Sequence, residues 1–333
     1  MKVAVLSDGA WGTALATTLV ANGHDVWQWG PFRDYIREMR ASRRNKRFLP
    51  GVELPESLEL SEEMETAVDN ADLILLAAPS QYARSVLEEF AGFHDRRKHA
   101  LVNVAKGIET SSLKRMSELC AEILGEDARY AVLSGPSHAE EVYKKVPTAV
   151  VVGSKDRGTA ETARDAFMNE NFRVYTSDDV VGIELGGALK NVFAIAAGVV
   201  DGMELGDNPK AALITRGIAE MARLGVALGG RQETFSGLSG IGDMIVTCCS
   251  GHSRNRAVGE RLGKGEQIKN ILESMGLVVA EGVATAESAK QLALANHVET
   301  PIINEVHAAI YKGKDPRVGV RDLMTRKAKM ERE

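Results

Sequence analysis

From Lys2 to about Thr176, short apolar runs rich in branched residues alternate with longer segments whose apolar positions recur at helical spacing. Residues 3–6, 26–29, 73–77, 101–104, 131–133 and 149–152 read as strands, and the segments between them as crossovers, which predicts a parallel sheet with helices on its faces. After about Val180 the branched runs largely stop. Ala, Leu and Gly then dominate residues 184–200, 210–228 and 284–295, each with the period of a helix. The expected architecture is α/β: a doubly wound N-terminal domain over residues 1–180, followed by an all-α C-terminal domain over 181–333. The polar stretch 325–333 reads as a solvated end.

Composition narrows the function classes. The chain has 333 residues, enough for two cores, with 41 Lys and Arg against 46 Asp and Glu and a net charge of -5. No basic stripe offers itself to a phosphate backbone, so nucleic-acid binding is not the expected role; the short basic run 43–47 reads as a solvated loop. Three cysteines, two of them the adjacent Cys248 and Cys249, do not make a disulfide framework, and with His252 they match no zinc spacing, so no metal is expected. The apolar run at residues 3–6 is too short for a signal-peptide core, and no stretch reaches 18 uncharged apolar residues. A soluble cytoplasmic protein is the expectation.

Three constellations carry chemistry. In the first, the strand at 3–6 runs into Ser7-Asp8-Gly9-Ala10-Trp11-Gly12 and then into a helical segment. This is the context of a dinucleotide fingerprint, in which backbone amides and the positive end of a helix meet a pyrophosphate. Gly9 and Gly12 hold the second and third glycine places, but Ser7 stands in the first and Asp8 adds a carboxylate. The second strand ends Trp29-Gly30-Pro31 without the acidic residue that marks NAD, and the nearest base is Arg33, so the choice between NAD and NADP stays open.

In the second constellation, Lys190 is the single charge between Leu185 and Val200, and it shares a helix face with Gly186, Gly187, Ala194 and Ala197. Either it snorkels to water, or burial disfavours its charged form and suits it to proton transfer. In the third, the glycine-rich run from Ser236 to Gly242 delivers Asp243, and Ser253-Arg254-Asn255 opens a helix with Ser253 as its N-cap. A guanidinium at a helix N-terminus is a phosphate receptor, unless it is only a capped surface turn. Glycines at 186–187 and 237–242 are expected to act as hinges between the domains.

Taken in order, these motifs, together with Asn45-Lys46-Arg47-Phe48-Leu49-Pro50-Gly51, Pro79-Ser80-Gln81, Lys106-Gly107, Ser134-Gly135-Pro136-Ser137, Lys190-Asn191, Thr247-Cys248 and Ala280-Glu281-Gly282, resemble the NAD(P)-dependent glycerol-3-phosphate dehydrogenase family from Lys2 to about Arg317. The resemblance implies a Rossmann-type N-terminal domain and reversible reduction of dihydroxyacetone phosphate to sn-glycerol 3-phosphate, supplying glycerophospholipid synthesis. It implies Lys190, Asp243, Lys106 and Thr247 as catalytic residues, with Gly135, Ser137, Asn191, Ser253, Arg254 and Asn255 completing the substrate site. It assigns Gly9, Ala10, Trp11, Gly12, Lys106, Ala139, Arg254, Val278 and Glu281 to NAD or NADP, and Arg33 is added as the nearest base. A homodimer is implied as well. The family pattern at 7–12 is Gly-Ala-Gly-Ser-Trp-Gly, and the departures at Ser7 and Asp8 are expected to weaken cofactor binding. A hydroxyacid or ketopantoate-type reductase has little use for Ser253-Arg254-Asn255, and a catalytically silent dinucleotide sensor has none for Lys190 and Asp243.

Overall fold

A computed structural model describes residues 1–328, 330 and 331. Of the tail expected to be solvated, 325–328, 330 and 331 are exposed, and 329, 332 and 333 lie outside the described residues. One sheet of eight strands has the order β3-β2-β1-β4-β5-β6-β7-β8, with β1 Lys2–Leu6, β2 Asp25–Trp29, β3 Glu59–Ser61, β4 Leu73–Leu76, β5 Ala100–Asn103, β6 Arg129–Ser134, β7 Thr148–Gly153 and β8 Phe172–Ser177. The period of two sorts β1 between the sheet's two faces: Val3 and Val5 enter one core cluster, Ala4 and Leu6 the other.

Two strands were not legible from patterning. β3 is a three-residue edge strand, and β8 is the opposite edge, where Phe172 and Val174 are buried while Arg173 and Tyr175 face out. The all-parallel expectation also needs correction, because β6 and β7 pair antiparallel. The reason lies in their connection. It carries the short Ala139–Tyr143 helix, which packs on the Ala10–Ala21 helix beside the strand ends, so the chain re-enters the sheet from the end at which β6 left it.

Beyond β8, the 23-residue helix Val180–Gly202 is the axle of the helical region, and nearly all its residues are buried. Its length and composition would suffice to cross a membrane, yet 94% of its most apolar window is buried inside the protein. The closest crossing is with the Arg254–Gly263 helix. A Cβ at Gly198 would stand 1.9 Å from the Arg256 carbonyl oxygen, and one at Gly259 1.9 Å from that of Ile195. Only glycine lets the two backbones touch, and this contact fixes where the N-terminus of the Arg254–Gly263 helix points.

Among the glycines expected to act as hinges, Gly186, Gly187 and Gly240 are packing glycines. Gly186 and Gly187 sit inside the continuous helix, where a Cβ would lie 2.6 Å from the Ser239 carbonyl oxygen and 2.7 Å from Ser134 Oγ, respectively. Leu238–Gly242 is a π-helical turn, and at Gly240 a Cβ would lie 2.1 Å from the Phe235 carbonyl oxygen. Contacts this close leave no room for backbone rotation at these positions.

Candidate active site

The order of the sheet reverses between β1 and β4, the place where open α/β sheets bind ligands outside their strand ends. A cleft opens there, lined by Ser7 and Gly9 after β1, Ala77 to Pro79 after β4, Val104 to Lys106 after β5 and Ser137 to Glu140 after β6. The helical region closes it with Lys190, Asn191, Thr247 and the turn from His252 to Asn255.

At one end of the cleft is the glycine turn. Gly9 is the N-cap of the Ala10–Ala21 helix and no side chain caps it, so the first-turn amides and the helix dipole are left to a ligand. The turn is held from behind: Gln28 Nε2 donates to the Ser7 carbonyl (2.8 Å), and Asn45 Nδ2 donates to the Asp8 carbonyl (2.7 Å) and to Thr13 Oγ1 (2.8 Å). Asn45 is therefore fully buried, and the basic run 43–47 is partly structural, not simply a solvated loop. At Gly12 a Cβ would come 3.1 Å from Ala77 Cβ, which brings helix and sheet together as a dinucleotide turn requires. Trp11 Nε1 is buried with no partner, a donor awaiting an acceptor. These features fit a dinucleotide.

Ser7 does not strain the turn, since neither it nor Asp8 has a positive φ. The Ser7 hydroxyl accepts from the Gly9 amide at 3.0 Å.

At the other end, one buried carboxylate joins two lysines. Lys190 is only 6% exposed and does not snorkel; its Nζ donates to Asp243 Oδ1 and to Thr247 Oγ1, both at 2.7 Å. Lys106 Nζ donates to Asp243 Oδ2 (2.7 Å) and to the Gly135 carbonyl (2.9 Å), with Ser137 Oγ at 3.5 Å. Burial alone would raise the Asp243 pKa, but the two ammonium groups outweigh it and hold the carboxyl below the usual range. Burial pulls Lys106 the other way, down to about 8, against the attraction of Asp243. Gly135 has a φ of 142° and a Cβ there would meet Val150 Cα at 3.0 Å, so only glycine can turn this carbonyl toward Lys106.

Between the ends, Ser253 caps the Arg254–Gly263 helix by accepting from the Arg256 amide. Arg254 lies partly buried in the cleft wall with Nη1 3.4 Å from the Val279 carbonyl. A cationic fork at a capped helix N-terminus, in a cleft that two lysines also line, has the chemistry to receive a small phosphorylated anion.

Two family models cover the chain. The NAD-dependent glycerol-3-phosphate dehydrogenase N-terminus matches residues 2–160 and its C-terminus residues 179–321. The chain belongs to the NAD-dependent glycerol-3-phosphate dehydrogenase family. A relative named glycerol-3-phosphate dehydrogenase [NAD(P)+] from Thermoanaerobacter is 46% identical over 99% of both chains. One of the same name from Bacillus subtilis is 48% identical over 98% of this chain and 94% of that protein. Among solved structures, the glycerol-3-phosphate dehydrogenase of Coxiella burnetii superimposes with a TM-score of 0.93 at 36% identity, over 97% of this chain and 98% of that one.

Of the positions carried over from the dehydrogenase family, Gly9, Ala10, Trp11, Lys106, Ser137, Ala139, Lys190, Asn191, Thr247, Ser253, Arg254, Asn255 and Glu281 all line the cleft. Gly12, Gly135 and Asp243 stand immediately behind it, through the contacts given above. Two expected residues are elsewhere. Arg33 is exposed and its guanidinium pairs with Glu63 at 2.9 Å, while Val278 yields its place in the lining to Val279.

Asn191 and Asn255 have their amides engaged. Asn255 Nδ2 donates to Asn191 Oδ1 (2.9 Å), Asn191 Nδ2 to the Lys106 carbonyl (3.0 Å), and Asn255 Oδ1 accepts from the Gly282 amide (2.9 Å). They bolt four segments together around the cleft. Sequence reasoning missed Ser80 as a site residue: its amide and hydroxyl both donate to the Glu281 carboxylate, which ties the sheet region to the helical region across 201 residues. The signal was Pro79-Ser80-Gln81, but the partner was out of reach of any local pattern. His138, whose Nε2 is buried without a partner in the cleft wall, is a second residue that sequence reasoning did not single out.

Proposed function

We propose that the chain reversibly reduces dihydroxyacetone phosphate to sn-glycerol 3-phosphate with a nicotinamide dinucleotide, as a two-domain enzyme divided near residue 180. The observation that carries this reading is Asp243 shared between Lys190 and Lys106 within the same cleft as the Ser253–Arg254 helix N-terminus. When bound, the nicotinamide supplies the hydride that C2 of the substrate receives. The residues of this chain do the rest.

Arg254 and the first amides of its helix take the substrate phosphate, with Ser253 and Asn255 holding that turn in shape. Lys106, steered by Gly135 and Ser137, lies against the carbonyl and draws charge toward its oxygen. As C2 accepts the hydride, negative charge develops on that oxygen, and Lys190 Nζ gives it a proton, so that a hydroxyl forms and the lysine is left neutral. Asp243 and Thr247 hold Lys190 in place for this transfer, and in oxidation the same lysine takes the proton back. Gly9, Ala10, Trp11, Gly12, Ala139 and Glu281 hold or shape the dinucleotide side of the cleft. The same reading makes the enzyme a cytoplasmic homodimer that supplies glycerophospholipid synthesis.

The test is loss of NADH absorbance with dihydroxyacetone phosphate, run beside Lys190→Ala. Turnover by the wild type and its loss in a folded variant is the expected result. Absence of turnover with both NADH and NADPH, from a folded wild type that binds them, overturns the reading.

A further inference from the structure

Rossmann-type turns draw the carboxylate that grips the adenosine ribose from the end of the second strand. Here that place is Gly30, directly after β2, and it has no side chain. The space is nonetheless filled. A Cβ on Gly30 would stand 2.7 Å from Asp8 Cβ and 2.8 Å from Asp8 Oδ2, so the Asp8 carboxylate occupies the volume in which a side chain at position 30 would begin. Asp8 is 4% exposed, and its Oδ2 is buried with no hydrogen-bond partner.

A buried carboxylate oxygen without a donor is costly, and two vicinal hydroxyls are the kind of group that supplies one. Cations near the strand end do little to replace it. Arg33 pairs with Glu63 at 2.9 Å, and Arg47 is stacked 4.1 Å over the Tyr35 ring. Arg47 is close enough to pull the Asp8 pKa down, yet burial is the larger effect and brings it up to about 6, which leaves the group mostly ionised at neutral pH.

We infer that Asp8 replaces the missing strand-end carboxylate: it accepts the ribose hydroxyls of NAD(H) from the glycine turn and repels the 2′-phosphate of NADP(H), so that this chain selects the unphosphorylated dinucleotide. The inference rests on the proposed dinucleotide site. It also reverses the simpler expectation that a charge at position 8 only weakens cofactor binding, because the side chain is turned toward the end of β2.

The test is a titration of the whole chain with NADH and with NADPH, followed by quenching of tryptophan emission, with no substrate present. The wild type is expected to bind NADH about tenfold or more tightly than NADPH, a difference of about 1.4 kcal/mol. In Asp8→Ala that ratio falls toward one, with NADH weakened. Asp8→Asn keeps the shape, guards against a folding defect, and is expected to lose discrimination mainly by admitting NADPH. The paired variant Asp8→Gly with Gly30→Asp, in which the Cβ and the carboxylate that would clash are both gone, is expected to restore the preference for NADH. An unchanged ratio in Asp8→Ala and Asp8→Asn overturns the inference, and so does an equal tightening of both dinucleotides, which would mean that Asp8 merely repels the pyrophosphate. These readouts need no turnover: nucleotide binding without reduction of dihydroxyacetone phosphate would sink the proposed function and leave the ratio interpretable.

Discussion

At the turn end of the cleft, the ligand-facing amides and glycines lie within one strand-turn-helix of residues 2–21. At the ionic end, Asp243 meets Lys190 from 53 residues away and Lys106 from 137. The first is made of backbone and small residues, whose work is to let a ligand come close. The second is made of charged side chains in a water-poor setting, where each needs the others to be tolerated at all. A sequence change at the turn is therefore absorbed by redirecting one side chain, as Asp8 shows by filling the space over Gly30. Loss of Asp243 from the ionic cluster would leave two lysines without their counter-ion, whereas loss of either lysine leaves Asp243 paired with the other.

The contrast can be broken at its strongest point by Lys190→Ala. Removing a proton donor at the reacting oxygen is expected to lower kcat by about 10²- to 10⁴-fold, while NADH affinity, measured by fluorescence, changes less than about twofold because the turn end is intact. If affinity falls with kcat, the two ends are not separable. Next in size, Arg254→Ala removes a charge-assisted contact of about 1.5–3 kcal/mol, so KM for dihydroxyacetone phosphate should rise about 10- to 100-fold. Unphosphorylated dihydroxyacetone, assayed in parallel, should be used no worse than by the wild type.

Gly12→Ala probes the opposite end. Its new methyl would lie 3.1 Å from Ala77 Cβ and 3.2 Å from the Ser7 carbonyl oxygen, a crowding that should cost on the order of 1 kcal/mol. It should appear as weaker NADH binding with kcat at saturation preserved. Acidity sharpens the comparison further. Lys106 is depressed from 10.5 to about 8, so it discharges as the pH rises through 8, and the rate of carbonyl reduction should decline above that point. Lys106→Arg, with a group that stays cationic, should flatten this limb. For stability the sign is opposite: between about 8 and 10.5 the unfolded chain binds the extra proton at Lys106, so this group adds stability with rising pH in that window. The smallest effect is expected of Arg33→Ala, whose guanidinium faces Glu63 in solvent; neither coenzyme's Kd should move by more than about twofold.

The strands at 3–6, 26–29, 73–77, 101–104, 131–133 and 149–152 were legible because a buried parallel strand is a nearly continuous apolar run, and each lies within a residue or two of its observed place. The Val180–Gly202 helix, its lone lysine and the Ser253 cap were legible for the same reason: periodicity and capping act within a few residues. Edge strands β3 and β8 were not, since half of an edge strand faces water and its pattern resembles a loop. Nor was the role of the glycines at 186, 187, 198 and 259, because a glycine in sequence reads as freedom while in a close helix crossing it is the point of least freedom.

What the sequence determined by itself was short-range: the six inner strands and the long apolar helix, where the glycine turn and the Ser253-capped helix begin, and which residues carry charge in apolar surroundings. Only the tertiary structure decided the partners. It set one aspartate between two lysines, Ser80 on Glu281 across 201 residues, the reversal of β7, and the Asp8 carboxylate in the space over Gly30. The physical reason is range: backbone propensity and capping act over a few residues, whereas burial makes a charged or polar group depend on whichever distant group the packing of the helices brings to it.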